Sequence, residues 1–266
     1  MTDVTNFSHA ILREPGKSAI YGLRDVDRGS PDIEGLRAEH AAYQRTLGEL
    51  GVRTTLLPSL EAYPDALFVE DPALVFPEGA VLLRPGAPSR QGEGEKLLPV
   101  LEDLFPEVIR LSEGTAEGGD VLVTDKEILI GRTSRTDDKG SQALAEVLAV
   151  LGRPARIVAP PADVLHFKTA CSLIGPDTVL ATQALLSGGD FFGGLRVVEV
   201  PAGEEAAANA LSVNGTVLIA EGFPATASQL LDMGFRVRAL KLDEVMKLDA
   251  GLSCMSLRWL SGRKGR

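Results

Sequence analysis

The feature of this sequence that most restricts its fold is a hairpin pattern that recurs four times. In each copy, two short runs of apolar, often β-branched residues flank a tight polar turn, which is typical of a β-hairpin. The fourth copy turns at Asn214-Gly215, a pair favoured in hairpins because both turn positions need positive φ angles. The four segments are residues 72–83, 121–130, 172–181 and 211–220.

Helical and strand patterns occupy the stretches between the hairpins. Residues 33–50 carry apolar side chains near a period of 3.6 and stop at Gly51, and residues 141–151 repeat that pattern. Short strand-like runs follow both helices, at Arg53–Leu57 and 156–158. The repeating unit is therefore a hairpin, a helix and a strand of about forty to fifty residues, a length typical of propellers and other closed arrays.

A fifth unit has to be assembled from both ends of the chain. Residues 254–259 have the pattern of a strand, and His9–Arg13 is a candidate neighbour. Pairing the two would close a ring and leave no free sheet edge. The sequence thus predicts one domain, residues 1–266, with an α/β fold: a five-bladed pseudo-symmetric α/β propeller closed by its N- and C-terminal strands.

Residues that can carry chemistry occupy matching positions in these repeats. Glu70 and Asp71 directly precede the first hairpin, Glu117 lies four residues before the second, His166 lies six before the third, and Cys254 opens the fifth strand. In a ring of equivalent blades, equivalent positions face the same mouth of the central axis. We therefore expect these side chains to meet there.

Each of these residues also has a purely structural explanation. Cys254 could be a buried, inert thiol, His166 a satisfied structural histidine, and Glu117 a turn carboxylate beside two glycines. The fourth hairpin follows Asn209, which offers no comparable charge. Taken together, carboxylates, one His and one late Cys are what covalent attack on a cationic carbon requires, and their matching positions favour that interpretation.

Composition and missing motifs exclude several other functions. A net charge of −10 argues against nucleic acid or an anionic membrane as partner. The three His have no paired spacing, and there is no phosphate loop or dinucleotide fingerprint, so we expect neither metal nor organic cofactor. The absence of a Gly-x-Ser-x-Gly elbow argues against a serine-based triad. Two cysteines make no disulfide framework and the first residues lack signal-peptide features, so we expect a cytoplasmic location.

Five short motifs give the chain a specific resemblance. They are Phe-Val-Glu-Asp-Pro at 68–72, Glu-Gly-Gly-Asp-Val-Leu at 117–122, Gly-Arg-Thr-Ser-Arg-Thr at 131–136, Leu-His-Phe-Lys-Thr at 165–169, and Gly-Leu-Ser-Cys-Met-Ser-Leu-Arg at 251–258. In order and spacing they resemble the dimethylarginine dimethylaminohydrolase family, over about residues 20–259. The resemblance implies the five-bladed α/β propeller of the guanidino-modifying superfamily, in agreement with the repeats.

The resemblance also implies roles for individual residues. Cys254 matches the nucleophile, His166 the general acid and base, and Asp71 and Glu117 the carboxylates that hold the guanidinium. The remaining matches contact the substrate: Arg90 and Arg135 at its amino-acid end, with Asp65, Glu70 and the backbone at Leu23 and Leu248.

We therefore predict hydrolysis of Nω-methylated arginines to citrulline and dimethylamine or methylamine, through a covalent thiouronium on Cys254. The resemblance further implies a small cationic substrate and a homodimer. Arginine deiminase is the nearest alternative, but its pattern has a carboxylate two residues after the His, where this chain has Lys168. A non-catalytic propeller that serves as a binding module is the alternative of a different class.

Overall fold

The chain forms five three-stranded sheets connected by α-helices in the computed structural model, which describes residues 4–261. The strands are β1 His9–Arg13, β2 Arg53–Leu57, β3 Ala73–Phe76, β4 Gly79–Leu82, β5 Val108–Arg110, β6 Val121–Val123, β7 Ile128–Gly131, β8 Ala155–Val158, β9 Cys171–Gly175, β10 Thr178–Ala181, β11 Arg196–Glu199, β12 Leu211–Val213, β13 Thr216–Ala220, β14 Arg236–Leu240 and β15 Leu257–Trp259. The α-helices are α1 Ile33–Glu49, α2 Leu98–Leu104, α3 Asp138–Val150, α4 Gln183–Ser187, α5 Pro224–Asp232 and α6 Asp243–Met246.

All five sheets have the same connectivity. The first two strands of a repeat form an antiparallel hairpin, a helix follows, and the third strand pairs parallel to the middle one. The four predicted hairpins are therefore confirmed. In the remaining sheet β1 is the middle strand: β2 pairs with it in parallel, and β15 supplies the antiparallel neighbour from the other end of the chain. The sequence predicts this pairing of the two ends, and in it His9 lies opposite Trp259.

Local signals in the sequence account for these elements. Asp32 and Asp137 cap α1 and α3, since their carboxylates accept the backbone N–H groups of Gly35 and Gly140 at 2.7 and 2.6 Å. At the β12–β13 turn, Asn214 and the glycine after it have φ angles of +50° and +79°, which the turn requires. Among the described residues no helix is both long and apolar enough to cross a bilayer.

The first two strands of each repeat lie in the core, and the third is more exposed. Every residue of β3 and β4 is buried, whereas β2 and β8 are partly open to solvent. Strands buried on both faces read as continuous apolar runs, which is why the hairpins stand out in the sequence. The residues expected to carry chemistry thus sit in the turns that lead into the most buried part of each sheet.

One predicted boundary is wrong. Cys254 does not open the last strand; it lies in a single 3-10 turn, Ser253–Met255, and β15 begins at Leu257. In this turn the backbone N–H of Ser253 donates to the side chain of Asn209 at 3.3 Å and not to a neighbouring strand. Apolar periodicity cannot register such a side-chain contact, so the strand pattern extended too far.

Candidate active site

Three of the predicted residues converge at one point. Asp71, Glu117 and His166 lie in the turns before β3, β6 and β9, respectively. One polar side-chain atom of each lies within 4.8 Å of those of the other two. His166 Nε2 is 2.6 Å from Glu117 Oε2. Asp71 and Glu117 are buried and His166 is nearly so, with a side chain that is 13% exposed. Residues far apart in the sequence therefore form one compact acid–base cluster.

The glycines after Glu117 are needed for close packing. A Cβ on Gly118 would lie 2.0 Å from the carbonyl oxygen of Glu70, and one on Gly119 would lie 2.9 Å from the His166 ring. Neither glycine has a positive φ, so access to the left-handed region is not the reason for them. The backbone N–H of Gly119 also donates to Asp71 at 3.2 Å. The two glycines let the turn fit between the carboxylate and the imidazole.

Asp120 connects two of these turns, a role that the sequence analysis missed. Its Oδ1 accepts the backbone N–H of Phe167 at 2.8 Å, and its Oδ2 accepts the hydroxyls of Thr133 and Thr136 at 2.7 and 2.6 Å. Burial raises the pKa of this carboxyl, against the lowering effect of His166 and these hydrogen bonds. Asp120 fixes the backbone just after His166, and its position inside the motif at 117–122 was the available signal.

The imidazole of His166 is held in its protonated form. Burial lowers its pKa, but the hydrogen bond with Glu117 and the charges of Asp71 and Asp120 outweigh burial and raise the pKa to about 9. A protonated ring has no free lone pair for a metal ion. Asp71, Glu117 and His166 lie close enough together to hold a cation, and with the ring protonated the two carboxylates supply the acceptors of this cluster.

Cys254 adjoins the same cluster through Glu70, whose backbone N–H donates to the Cys254 carbonyl at 3.2 Å. Cys254 is partly exposed as a residue, whereas Cys171 is fully buried. Burial among protein atoms raises the pKa of Cys254 to about 11, and the charges of Glu70 and Asp71 add to this effect. Burial and these two carboxylates together thus favour the protonated thiol.

Arg90 lies beneath Asp71 and is itself buried. Its Nη1 donates to Asp71 at 2.6 Å, and its Nε and Nη2 form a bidentate pair with Glu93 at 2.8 and 2.6 Å. Nη2 also donates to the backbone carbonyl of Phe68 at 3.0 Å. All three guanidinium nitrogens therefore have protein acceptors, and the position holds Asp71. The predicted contact of Arg90 with the amino-acid end of a substrate stays a prediction.

Glu70 is paired with two cations. Its Oε1 lies 2.6 Å from Lys168 Nζ and 3.0 Å from Arg258 Nη2. All three side chains are at most 13% exposed, so solvent screens these pairs only weakly. The negative charge of Glu70 is consequently balanced by protein groups. Its predicted contact with substrate is not tested by this arrangement.

The other predicted contacts lie around the edge of the cluster. The backbone N–H of Leu23 donates to Asp65 at 2.9 Å, and a Cβ on Gly22 would touch both Asp65 and Leu248. Burial raises the pKa of Asp65, whereas the charges of Arg90 and Arg135 lower it, which places both arginines near that carboxylate. The structure thus brings these residues together, and their roles toward a ligand stay predictions.

Two cavities flank the Cys254 turn. One, of about 430 Å³, is lined by Gly251, Asn209 and Thr169. The other, of about 520 Å³, runs along the first strands of the sheets and reaches Glu70 and Lys168. Neighbours of the thiol therefore line both cavities: Asn209 and Gly251 the first, and Glu70 and Ser253 the second. Neither lining includes Asp71, Glu117, His166 or Cys254 itself.

The fold and this set of side chains place the chain among the guanidino-modifying α/β proteins. It is 35% identical over 255 residues to N(G),N(G)-dimethylarginine dimethylaminohydrolase of Pseudomonas aeruginosa, covering 95% of this chain and 100% of the relative. The protein of the same name from Streptomyces coelicolor is also 35% identical, over 94% of this chain and 96% of its own length. The chain belongs to the dimethylarginine dimethylaminohydrolase family.

Solved structures agree with membership of this family. A mutant of the dimethylarginine dimethylaminohydrolase (DDAH) of Pseudomonas aeruginosa, complexed with citrulline, superimposes with a TM-score of 0.91 at 35% identity. The match covers 95% of this chain and 99% of that one. The N-terminal domain of ArgZ covalently bound to a reaction intermediate has a TM-score of 0.84 at 18% identity, over 96% and 99% of the two chains, and supports the fold alone. No protein-family model matches the chain.

Proposed function

We propose that this chain hydrolyses Nω-methylated arginines, asymmetric dimethylarginine and monomethylarginine, to citrulline and dimethylamine or methylamine. The observation that carries this is the cluster of Asp71, Glu117 and His166 beside the Cys254 thiol, in a chain of this family. Every group that the reaction needs is present: two carboxylates for a cation, an acid and base, and a nucleophile.

Binding follows from the charges. Asp71 and Glu117 offer carboxylate oxygens to the N–H groups of a planar guanidinium, which fixes the orientation of its carbon. In the free protein Glu117 is hydrogen-bonded to His166 at 2.6 Å, so an arriving cation competes for that carboxylate. The bound positive charge offsets the carboxylates next to Cys254, lowers the pKa of the thiol from about 11, and makes the thiolate accessible.

The reaction then proceeds in two stages, through a covalent intermediate on Cys254. The thiol proton leaves to solvent, and the thiolate forms a C–S bond to the guanidinium carbon. Protonated His166 donates to the departing amine as the C–N bond breaks, which leaves a thiouronium cation on Cys254. Neutral His166 next takes a proton from water, whose oxygen attacks the same carbon. Breaking the C–S bond releases citrulline, and the thiol and the imidazolium are restored.

Lys168 decides between this reaction and deimination of arginine. A deiminase carries a carboxylate two residues after its His, and that carboxylate grips the second unsubstituted nitrogen. Here Lys168 occupies that position and pairs with Glu70 at 2.6 Å. The position therefore offers no carboxylate, and the lysine balances the negative charge of Glu70. An unsubstituted nitrogen would leave N–H groups without a charged partner, whereas methyl groups need none.

The test is a citrulline-formation assay with four substrates. We expect asymmetric dimethylarginine or monomethylarginine to exceed arginine by about tenfold or more in kcat/KM, which corresponds to about 1.4 kcal/mol. Symmetric dimethylarginine should be poor, because it places a methyl on the nitrogen that Asp71 and Glu117 bind. Equal or faster turnover of arginine would favour the deiminase alternative, and no turnover of any of the four would favour a non-catalytic propeller.

The closure of the ring, the cellular location and the homodimer are also proposals. Pairing of β1 with β15 supports a ring of five blades closed by the two ends of the chain, in one domain of residues 1–266. Cys171 and Cys254 are both free thiols, which supports a reducing compartment such as the cytoplasm. For the homodimer, sedimentation of the purified protein is the test.

A further inference from the structure

Asn209 is a polar neighbour of the nucleophile to which neither the sequence nor the family resemblance assigned a role. It lies two residues before β12, as Asp71 lies two residues before β3, so the fourth repeat also directs a side chain toward the site. Its Nδ2 is 3.9 Å from Cys254 Sγ, within reach of a hydrogen bond to sulfur. The repeat that lacks a charged residue therefore contributes an amide.

The orientation of that amide is determined by its other contact. Asn209 Oδ1 accepts the backbone N–H of Ser253 at 3.3 Å. Because a backbone N–H can only donate, the amide oxygen must face Ser253, and the NH₂ group then faces the thiol. Gly251 makes room for this arrangement, since a Cβ there would lie 2.5 Å from the Asn209 side-chain carbon.

We propose that Asn209 donates a hydrogen bond to the thiolate of Cys254 and thereby stabilises the nucleophile in its attacking form. A thiolate accepts such a bond more strongly than a thiol does, so the contact favours ionisation. The backbone of Gly251 acts in the same direction, since its hydrogen bonding lowers the pKa of the Cys254 thiol. This proposal rests on the role of Cys254 as nucleophile.

The electrostatics explain why an amide suits this position. The charges of Glu70 and Asp71 act against a thiolate at Cys254. The charge of Lys168 offsets them only in part. A further lysine or arginine placed against the sulfur would repel a guanidinium arriving at the same place. A neutral N–H donor stabilises the thiolate without that repulsion. An aspartate would have the same shape and the wrong charge.

The test is the pH dependence of Cys254 alkylation by iodoacetamide, with the modified peptide identified by mass spectrometry. For Asn209→Ala we expect the apparent pKa of Cys254 to rise by about one unit, about tenfold less thiolate at any pH well below the pKa. Asn209→Asp keeps the size of the side chain and its acceptor for Ser253, so it preserves the local fold, and it should raise the pKa further. In both variants kcat should fall more than KM rises.

Asn214→Ala is the matched control. Asn214 lies in the turn of the β12–β13 hairpin, at the other end of β12 from Asn209. It bonds to the backbone of Phe7 at 2.8 and 3.0 Å and to that of Leu50 at 2.7 Å, so its loss costs stability without touching the thiol. The proposal is overturned if both Asn209 variants keep the alkylation profile of the unmodified protein, or if Asn214→Ala shifts it equally. Citrulline formation that survives complete alkylation of Cys254 would instead overturn the proposed function.

Discussion

Replacing Glu117 by Gln removes one charge from the centre of the site and keeps the shape of the side chain. Oε1 of Glu117 accepts the backbone N–H of Gly86 at 3.1 Å, and its Oε2 is 2.6 Å from His166. The amide of Gln can keep the Gly86 bond only through its oxygen, which turns its NH₂ group toward the ring. Because position 117 is fully buried, solvent does not compensate for the lost charge.

The structure sets the size of the expected loss. Removing the charge of one partner from a buried, charge-assisted hydrogen bond is worth about 2–4 kcal/mol, which corresponds to roughly 30- to 900-fold in kcat/KM. KM should rise and kcat should fall together, because Glu117 both binds the guanidinium and orients it. The assay is citrulline formation from asymmetric dimethylarginine over a range of substrate concentrations.

A pH profile gives a second, independent readout. The bond to Glu117 is the leading reason that the pKa of His166 is raised to about 9 against the effect of burial. In Glu117→Gln that pKa should fall, so the loss of activity at alkaline pH should begin at lower pH. Glu113→Gln, an exposed residue four positions earlier, is the control and should change neither quantity. An essentially unchanged kcat/KM for Glu117→Gln would remove Glu117 from the site and refute this reasoning.

Two further predictions concern the thiols and stability. Cys254→Ser should abolish turnover with an unchanged circular dichroism spectrum, since a hydroxyl is a far weaker nucleophile at neutral pH, whereas Cys171→Ser should keep most activity because Cys171 is buried; an essential Cys171 would contradict the assignment. The pKa of His166 rises from 6.5 to about 9 on folding, so its stabilisation is fully present below pH 6.5 and is lost as pH rises through about 9. Urea unfolding should show this loss, on the order of 3 kcal/mol, in the unmodified protein and not in His166→Asn.

Much of the fold could be predicted because hairpins and helices are local. A strand buried on both faces leaves an apolar run, and a turn such as Asn214-Gly215 needs specific φ angles, so both leave a record in consecutive residues. The same record gave matching positions for Asp71, Glu117 and His166, and the structure brings these three together. Pairing of the two ends of the chain was also predictable, because neither the first nor the last strand had a hairpin partner nearby in the sequence.

The sequence by itself determined the repeat and the kinds of residues at its turns. Which side chains those residues contact was decided only in the tertiary structure. Lys168 could be counted two residues after His166, but its pairing with Glu70, 98 positions earlier, could not. Asn209 read as an empty position until the turn at Ser253–Met255 placed a thiol 3.9 Å from its amide. Such contacts join different sheets and depend on ångström distances, which no periodicity along one chain records. Charge balance and thiol ionisation depend on those distances, so they follow from the folded protein alone.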